Sequence, residues 1–142
     1  MIGDTNIRMH ANDTNNTNKL IYPELSYTLT GLFFDTQNTT GRYAREKQYG
    51  DEIERRLGEL KIPYKRELVI PGSGDRVDFL IDNKIAIEIK AKRIIGKGDY
   101  YQLQRYLQTL DIKLGLLVNF RGRHLKPKRI VKIETDLKSK FV

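Results

Sequence analysis

The sequence predicts a single α/β domain with a mixed central β-sheet and flanking helices, in the order ααβββαβ(β). Two segments that can form helices, the second with clear helical spacing of apolar residues, precede three short stretches that read as strands, the last two of which are joined by a polar turn. A further helical segment leads to a continuous apolar run, which fits a strand buried on both faces. A helix that separates two strands allows them to lie parallel, so we expect a mixed sheet.

Length and charge bound the possible classes of protein. The chain has 142 residues, which suffice for one domain with a core but not for two. We expect a flexible tail over residues 1–18, which are rich in Asn and Thr, and one domain over residues 19–142. The formal net charge of +8 favours an anionic partner, nucleic acid above all, although it also suits an ordinary solubilising surface.

Several functional classes are excluded or disfavoured by composition. The absence of cysteine excludes disulfides and cysteine-based zinc sites, and His10 and His124 are too far apart in sequence for a histidine-rich metal site. No apolar run approaches the roughly 20 residues of a membrane span, and no signal-peptide pattern opens the chain. We therefore expect a soluble, cytoplasmic protein.

The first helix is predicted over residues 19–35, with a connecting loop over residues 36–41. Its residues available for burial are Leu20, Tyr27, Leu32 and Phe33.

The second helix, over residues 43–60, has the clearest periodicity. Its apolar stripe consists of Tyr49, Ile53, Leu57 and Leu60. Extending the stripe backwards by three residues reaches Glu46. A carboxylate on an inward stripe is unusual and points to a site, but a negative charge in the first turn also suits the helix dipole. The two explanations are equally good from the residues alone.

A strand over residues 64–70 and a turn over residues 71–75 lead to a predicted hairpin over residues 76–90. With Asp82-Asn83-Lys84 as its turn, the expected register pairs Ile81 with Ile85, Phe79 with Ile87, and Asp78 with Glu88. Because side chains alternate along a strand, one face should carry Val77, Phe79, Ile81, Ile85, Ile87 and Ile89. The other face should carry Asp78, Glu88 and Lys90.

Opposed carboxylates are costly for structure. The Cβ atoms of Asp78 and Glu88 would lie roughly 5 Å apart, so one pKa should rise unless a cation lies between them. The simpler alternative is that these residues form the solvated outer face of a hairpin. Ala86, on the same face, favours a strand covered on both sides, with the acids in a cleft.

This donor set suits a hard divalent metal. Mg²⁺ binds one or two carboxylates, keeps several waters and shares its coordination with substrate phosphate, which serves phosphodiester hydrolysis. Asp78 and Glu88 would be ligands, and the backbone carbonyl of Ile89 could supply another. Lys90, on the same face, could orient the attacking water or stabilise transition-state charge. Nearby carboxylates would favour its protonated form.

The remainder of the chain begins with a basic loop over residues 91–98 that contains Lys92, Arg93 and Lys97. Asp99 is a candidate N-cap for a helix over residues 100–110.

On this helix, Gln102 and Tyr106 lie four apart on one face, beside an apolar stripe. An interior, parallel strand is predicted over residues 113–120, and an edge strand over residues 129–134. The chain is basic from Arg121 onward.

Asp78, followed after nine intervening residues by Glu88-Ile89-Lys90, resembles the core motif of PD-(D/E)XK nucleases. The predicted element order also resembles their restriction-endonuclease-like core of a helix, a three-stranded antiparallel meander, a helix and a strand. The proline of the motif is absent, because Arg76-Val77 precedes Asp78.

Further segments resemble the GxxExxY protein family within this superfamily, over roughly residues 20–133. They are Glu46-Lys47-Gln48-Tyr49, Leu60-Lys61-Ile62-Pro63, Glu88-Ile89-Lys90-Ala91, Gln102 to Leu107, and Gly115 to Phe120. The leading glycine of that family is replaced by Tyr43.

The resemblance implies a nuclease that depends on Mg²⁺ or Mn²⁺ and is expected to act on DNA. It places Glu46 beside the metal and Gln102 and Tyr106 beside the active site, in contact with substrate or catalytic groups. Lys92, Arg93, Lys97, Arg121 and Arg123 would grip the nucleic-acid backbone without reading sequence. A homodimer or a protein partner would help so small a chain to enclose a duplex. The alternative is a non-catalytic nucleic-acid-binding module or partner subunit on the same fold.

Overall fold

The structure, a computed structural model, describes residues 21–134. The tail expected over residues 1–18 lies outside this part of the chain, as do Leu20 and His10. The helices are α1 (Pro23–Thr40), α2 (Glu46–Leu60) and α3 (Lys97–Leu110). The strands are β1 (Tyr64–Val69), β2 (Arg76–Ile81), β3 (Ile85–Lys90), β4 (Leu114–Asn119) and β5 (Lys128–Val131). Among these helices, none is long and apolar enough to cross a membrane.

The strands form one mixed sheet in the spatial order β1-β2-β3-β4-β5. The first three form an antiparallel meander, β4 runs parallel to β3, and β5 pairs antiparallel with β4 at the edge. The parallel pair is possible because α3 carries the chain back across the sheet between β3 and β4. The predicted element order and the predicted interior parallel strand are both confirmed.

Apolar residues cover both faces of the sheet. The first cluster joins α1 and α2 to one face, and its fully buried members include Leu29, Phe33, Tyr49, Ile53, Leu57, Phe79, Ile81, Ile85, Ile87 and Phe120. The second cluster joins α3 to the other face and contains Ile70, Val77, Leu80, Ala86, Leu103, Tyr106, Leu107, Ile112 and Leu117. The hairpin is therefore covered on both sides, as the alanine at position 86 indicated.

Helix α1 differs from its predicted bounds. It begins at Pro23, whose fixed φ suits the first helical position and follows Tyr22 at φ 49°. It continues to Thr40, so most of the loop predicted over residues 36–41 is helical, and the chain leaves the helix at Gly41, with φ 89°. The burial predicted for Tyr27 is wrong, because this side chain is 83% exposed.

The other two helices also begin at different residues from those predicted. Helix α2 begins at Glu46 rather than Tyr43, where the backbone amide of Arg45 donates to Gln48 Oε1 at 2.9 Å. Helix α3 begins at Lys97 rather than near Tyr100. Asp99 is thus not the N-cap. It lies inside the first turn and accepts a hydrogen bond from the amide of Gly96 at 2.8 Å.

The register predicted for the hairpin is confirmed where the strands pair, from Ile81 opposite Ile85 to Phe79 opposite Ile87. The face predicted for Val77 is wrong, because Val77 packs in the second cluster. The strand beside it, β1, is irregular at this point. Its residue Glu67 has φ 52° and lies between the paired residues Arg66–Phe79 and Leu68–Val77. Glu67 therefore stands opposite Asp78, next to the residue whose face was mispredicted.

Gly115 provides a test of the packing between α3 and the sheet. A Cβ atom at this position would lie 2.9 Å from Leu103 Cδ2, closer than a packed carbon allows. We expect Gly115→Val to lower the free energy of unfolding by about 1–3 kcal/mol, as overpacked cores generally do, measured by urea denaturation.

Gly58 is the matched control, because a Cβ atom there would meet nothing within 4 Å. It lies in α2, so Gly58→Ala should raise the free energy of unfolding by up to about 1 kcal/mol through helix propensity. Equal effects at the two glycines would contradict the packing described for α3.

Candidate active site

Asp78 and Glu88 lie where β2 and β3 stop pairing through their backbones. The amide of Ile89 donates to Asp78 Oδ2 at 2.6 Å, and the amide of Asp78 donates to Glu88 Oε1 at 3.3 Å. Each carboxylate therefore accepts a hydrogen bond from the backbone of the opposite strand, where a carbonyl would do so in a regular ladder. The two acids predicted to face each other do come together.

Burial sets the charge state of this pair. Glu88 is only 6% exposed. Burial and then the neighbouring charge of Asp78 raise the pKa of Glu88 to about 8. Burial also raises the pKa of Asp78, although the hydrogen bond from Ile89 opposes that rise. The repulsion that the sequence predicted is present, and a cation bound between the acids would relieve it.

Lys90 lies beside this pair and faces three oxygen atoms. Its Nζ is 3.6 Å from Glu88 Oε2 and 3.7 Å from Asp99 Oδ1, and it donates to Gln102 Oε1 at 3.4 Å. Strand β3 supplies the lysine and Glu88, whereas α3 supplies Asp99 and Gln102. The packing of α3 on the sheet therefore fixes the position of the ammonium group.

Asp99 is a residue of this site that the sequence analysis missed. It is 9% exposed and accepts a hydrogen bond from Lys92 Nζ at 2.8 Å. Burial acts to raise the pKa of Asp99, but the bonds from Lys92 and Gly96 outweigh it and hold the pKa below its usual value. No local pattern could indicate this role, because the contacts join a helix to a strand end.

A cavity of about 190 Å³ opens on the other side of Asp78. It is lined by Glu46, Lys47, Arg66, Glu67, Asp78, Phe79 and Ile89. Glu46 and Ile89, both predicted to lie near the metal, thus border the same space as Asp78. Glu88 does not line this cavity. Asp78 therefore lies between two compartments, the cavity bordered by Glu46 and the space that contains Glu88 and Lys90.

The donors present fit a hard divalent metal held by two carboxylates. Within residues 21–134, no group of three Asp, Glu or His side chains is placed to hold a metal ion. Mg²⁺ does not need such a group, because it commonly binds one or two carboxylates and completes its shell with water and phosphate. Asp78 and Glu88 supply this minimal set of oxygen ligands.

Arg66 is a second residue that sequence analysis missed. Its guanidinium passes so close to α2 that a Cβ atom at Gly50 would lie 2.5 Å from Nη2. Its Nη1 donates to Asp51 and Glu54, each at 2.8 Å. These bonds hold the guanidinium group at the rim of the cavity beside Asp78. The one available signal was a glycine in the middle of an amphipathic helix.

The residues predicted to bind nucleic acid occupy different environments. Arg93, Lys97 and Arg123 are exposed, and Arg121 is half-buried. Tyr106 is only 3% exposed, and burial followed by the charge of Glu88 raises its pKa to about 12. Its ring lies in the second cluster beside the acids, and little of it is available to a ligand at the surface.

The pKa of Glu88 predicts a pH-dependent stability without metal. In the unfolded chain, Glu88 ionises near 4.5, whereas in the folded protein it keeps its proton until about pH 8. The folded state therefore binds more protons in this interval, so the free energy of unfolding should decrease as pH rises through it. Glu88→Gln, which stays uncharged, should remove that decrease in urea denaturation with a chelator present.

Glu59→Gln is the matched control, since Glu59 is a largely exposed carboxylate on α2. Its pH dependence should equal that of the wild type. A Glu88→Gln variant with an unchanged pH dependence would contradict the burial of an uncompensated acid at this position.

The family to which the fold and site point is identified by comparison with known proteins. The crystal structure of SSO0001 is similar at 19% sequence identity and a TM-score of 0.47, over 89% of this chain and 62% of that one. The chain thus spans less than two thirds of that protein. No curated protein matches the chain. The family model of the PD-(D/E)XK nuclease superfamily matches residues 23–132, most of the chain, and the chain therefore belongs to this superfamily.

Proposed function

We propose that the protein is a nuclease that hydrolyses phosphodiester bonds with the help of Mg²⁺ or Mn²⁺, and that its substrate is DNA. Membership of the superfamily supports nuclease activity. The observation that carries the proposal is the buried pair of Asp78 and Glu88 with Lys90 beside it. A surface that only binds nucleic acid has no need of two buried, mutually repelling carboxylates.

Asp78 and Glu88 are the proposed metal ligands. The backbone carbonyl of Ile89 and the side chain of Glu46 are further candidate oxygen donors, on the side of the cavity. A divalent metal at this position would supply a Lewis acid for the phosphoryl oxygen and lower the pKa of water. By neutralising the acids, it would also remove the repulsion that raises their pKa values.

Lys90 is the proposed catalytic cation. Its contacts with Glu88 and Asp99 hold its ammonium group beside the acids, and its bond to Gln102 sets the direction of the side chain. An ammonium group has three donors, so further donors can reach an attacking water or a phosphate oxygen. Gln102 is a positioning residue in this scheme, because its contact with the reaction passes through Lys90.

Exposed cations near the site would bind the backbone of the substrate. Arg93, Lys97 and Arg123 are free to reach phosphates at the surface, and such contacts give affinity without sequence preference. Lys92 is already engaged by Asp99 and contributes less net charge. Its loop is fixed by Asn119, whose side chain donates to the carbonyl of Lys92 at 2.7 Å.

The finer sequence-based expectations remain predictions. They are membership of the GxxExxY family, a nucleic-acid contact by Tyr106, a single domain over residues 19–142, a cytoplasmic location, and a homodimer or protein partner.

The proposal is tested by cleavage of single- and double-stranded DNA and RNA with Mg²⁺ or Mn²⁺. Asp78→Asn should weaken the binding of the metal, and Lys90→Met removes an ammonium group. Each change should lower the cleavage rate by at least about 100-fold, because both cations offset negative charge at the reacting phosphate. The purified wild type should be inactive with a chelator and active when the metal is restored.

The same hairpin offers matched controls at its turn. Asp82 and Lys84 are partly exposed and form an ion pair with each other. Asp82→Asn and Lys84→Met should leave the cleavage rate unchanged. If the wild type binds these nucleic acids but cleaves none of them with either metal, the proposal is wrong and a binding module remains.

A further inference from the structure

An exposed tyrosine lies against two guanidinium groups at one end of the sheet. Tyr43, in the loop between α1 and α2, is 74% exposed. The Cζ atoms of Arg42 and Arg121 lie 5.1 Å and 5.4 Å from the centre of its ring. Arg42 Nε also donates to the backbone carbonyl of Arg121 at 3.0 Å. Two positive charges and an aromatic ring, from loops far apart in sequence, thus meet at the surface.

The loop that carries Tyr43 is held from within. The buried ring of Tyr49 stacks on Phe120, with the ring centres 4.3 Å apart. Its hydroxyl donates to the carbonyl of Gly41 at 2.5 Å and accepts a bond from the amide of Ala44 at 3.2 Å. The residues on both sides of Tyr43 are therefore fixed to the core.

The loop that carries Arg121 is fixed in a similar way. Gln37 Nε2 donates to the carbonyls of Phe120 and Gly122, each at 2.9 Å. The backbone amide of Arg121 donates to Asn119 Oδ1 at 3.3 Å. Because both loops are preorganised, a ligand would pay little conformational entropy to bind between them.

This surface borders the proposed active site. The amide of Phe120 donates to the carbonyl of Lys90 at 2.9 Å, so the loop with Arg121 continues from the end of the catalytic strand. The loop with Tyr43 leads into α2, whose first residue, Glu46, follows Tyr43 by three residues and lines the cavity shared with Asp78. A nucleic-acid strand in the site would pass near both loops.

The combination of groups favours an unpaired base over a duplex. Nucleobases stack on aromatic rings and on guanidinium planes, and the arginine charges attract the adjoining phosphates. In a duplex the bases are already stacked on one another, so only the backbone would reach this surface. We propose that Arg42, Tyr43 and Arg121 form a stacking platform for an unpaired nucleobase of DNA or RNA. Its position next to the cleaved bond rests on the proposed nuclease function.

Binding measured without metal tests the platform separately from catalysis. Fluorescence anisotropy with labelled single-stranded DNA, single-stranded RNA and a duplex of equal length would give the affinities, with a chelator present. Tyr43→Ala should weaken binding of at least one of the two single strands by about tenfold and leave duplex binding within about twofold. Tyr43→Phe should retain the wild-type affinity, because the ring is kept. The DNA and RNA arms show which strand is preferred.

The salt dependence separates stacking from charge. Tyr43→Ala should leave the slope of log affinity against log salt unchanged, because the tyrosine carries no charge. Arg121→Gln should reduce that slope by about 0.7, the contribution of one phosphate contact to single-stranded binding. Tyr27→Ala is the matched control, since Tyr27 is 83% exposed on α1, and it should not change affinity.

Three results would overturn the platform. The first is that the wild type binds neither single strand, and the second is that Tyr43→Ala has the same affinities as Tyr27→Ala. The third such result is that Tyr43→Ala weakens the binding of duplex and single strand equally. In the first two cases the tyrosine would only brace two loops. Selective loss of single-strand binding in a protein that cleaves nothing would support the platform and overturn the nuclease alone. Cleavage by a wild type whose affinities do not depend on Tyr43 would overturn the platform alone.

Discussion

The exchange of hydrogen bonds between two carboxylates and two backbone amides is the interaction on which the site depends. Where β2 and β3 stop pairing, Asp78 and Glu88 accept the amides that would otherwise be left without partners. The strands can separate there without an energetic penalty for the backbone, but the acids are buried side by side. Their raised pKa values report the resulting cost. A bound cation would offset this cost, so structural compensation and the proposed catalysis depend on the same ion.

Local patterns in the sequence were sufficient for the order of helices and strands along the chain, the hairpin turn and the proximity of the two acids. They failed at Val77, since alternation presumes a regular ladder, and no pattern marks Glu67 as a residue with positive φ. They also failed at Asp99, since an acid near a helix start fits an N-cap as well as it fits an ion pair with Lys92. Both errors arise where tertiary contacts override a local preference.

The candidate site divides into parts that could and could not be predicted. Glu88 and Lys90 share one strand, so their spacing alone places them together. Arg66 comes from another strand, and its side chain passes over Gly50 of α2 to reach the cavity. Only the packing of that helix on the sheet brings Arg66 close to the site. Glu46 was ambiguous from the residues, and family resemblance gave it a role. The structure places it on the cavity with Asp78, apart from the compartment of Glu88.

The most direct test of the central claim is to locate the metal. Crystals grown with Mn²⁺ near pH 8 would show its position by anomalous scattering. We expect one strong peak that lies about 2.0–2.3 Å from a carboxylate oxygen of both Asp78 and Glu88, and this peak should disappear in Asp78→Asn. A peak that contacts neither residue, or none at saturating Mn²⁺, would contradict the claim that these acids form a metal site.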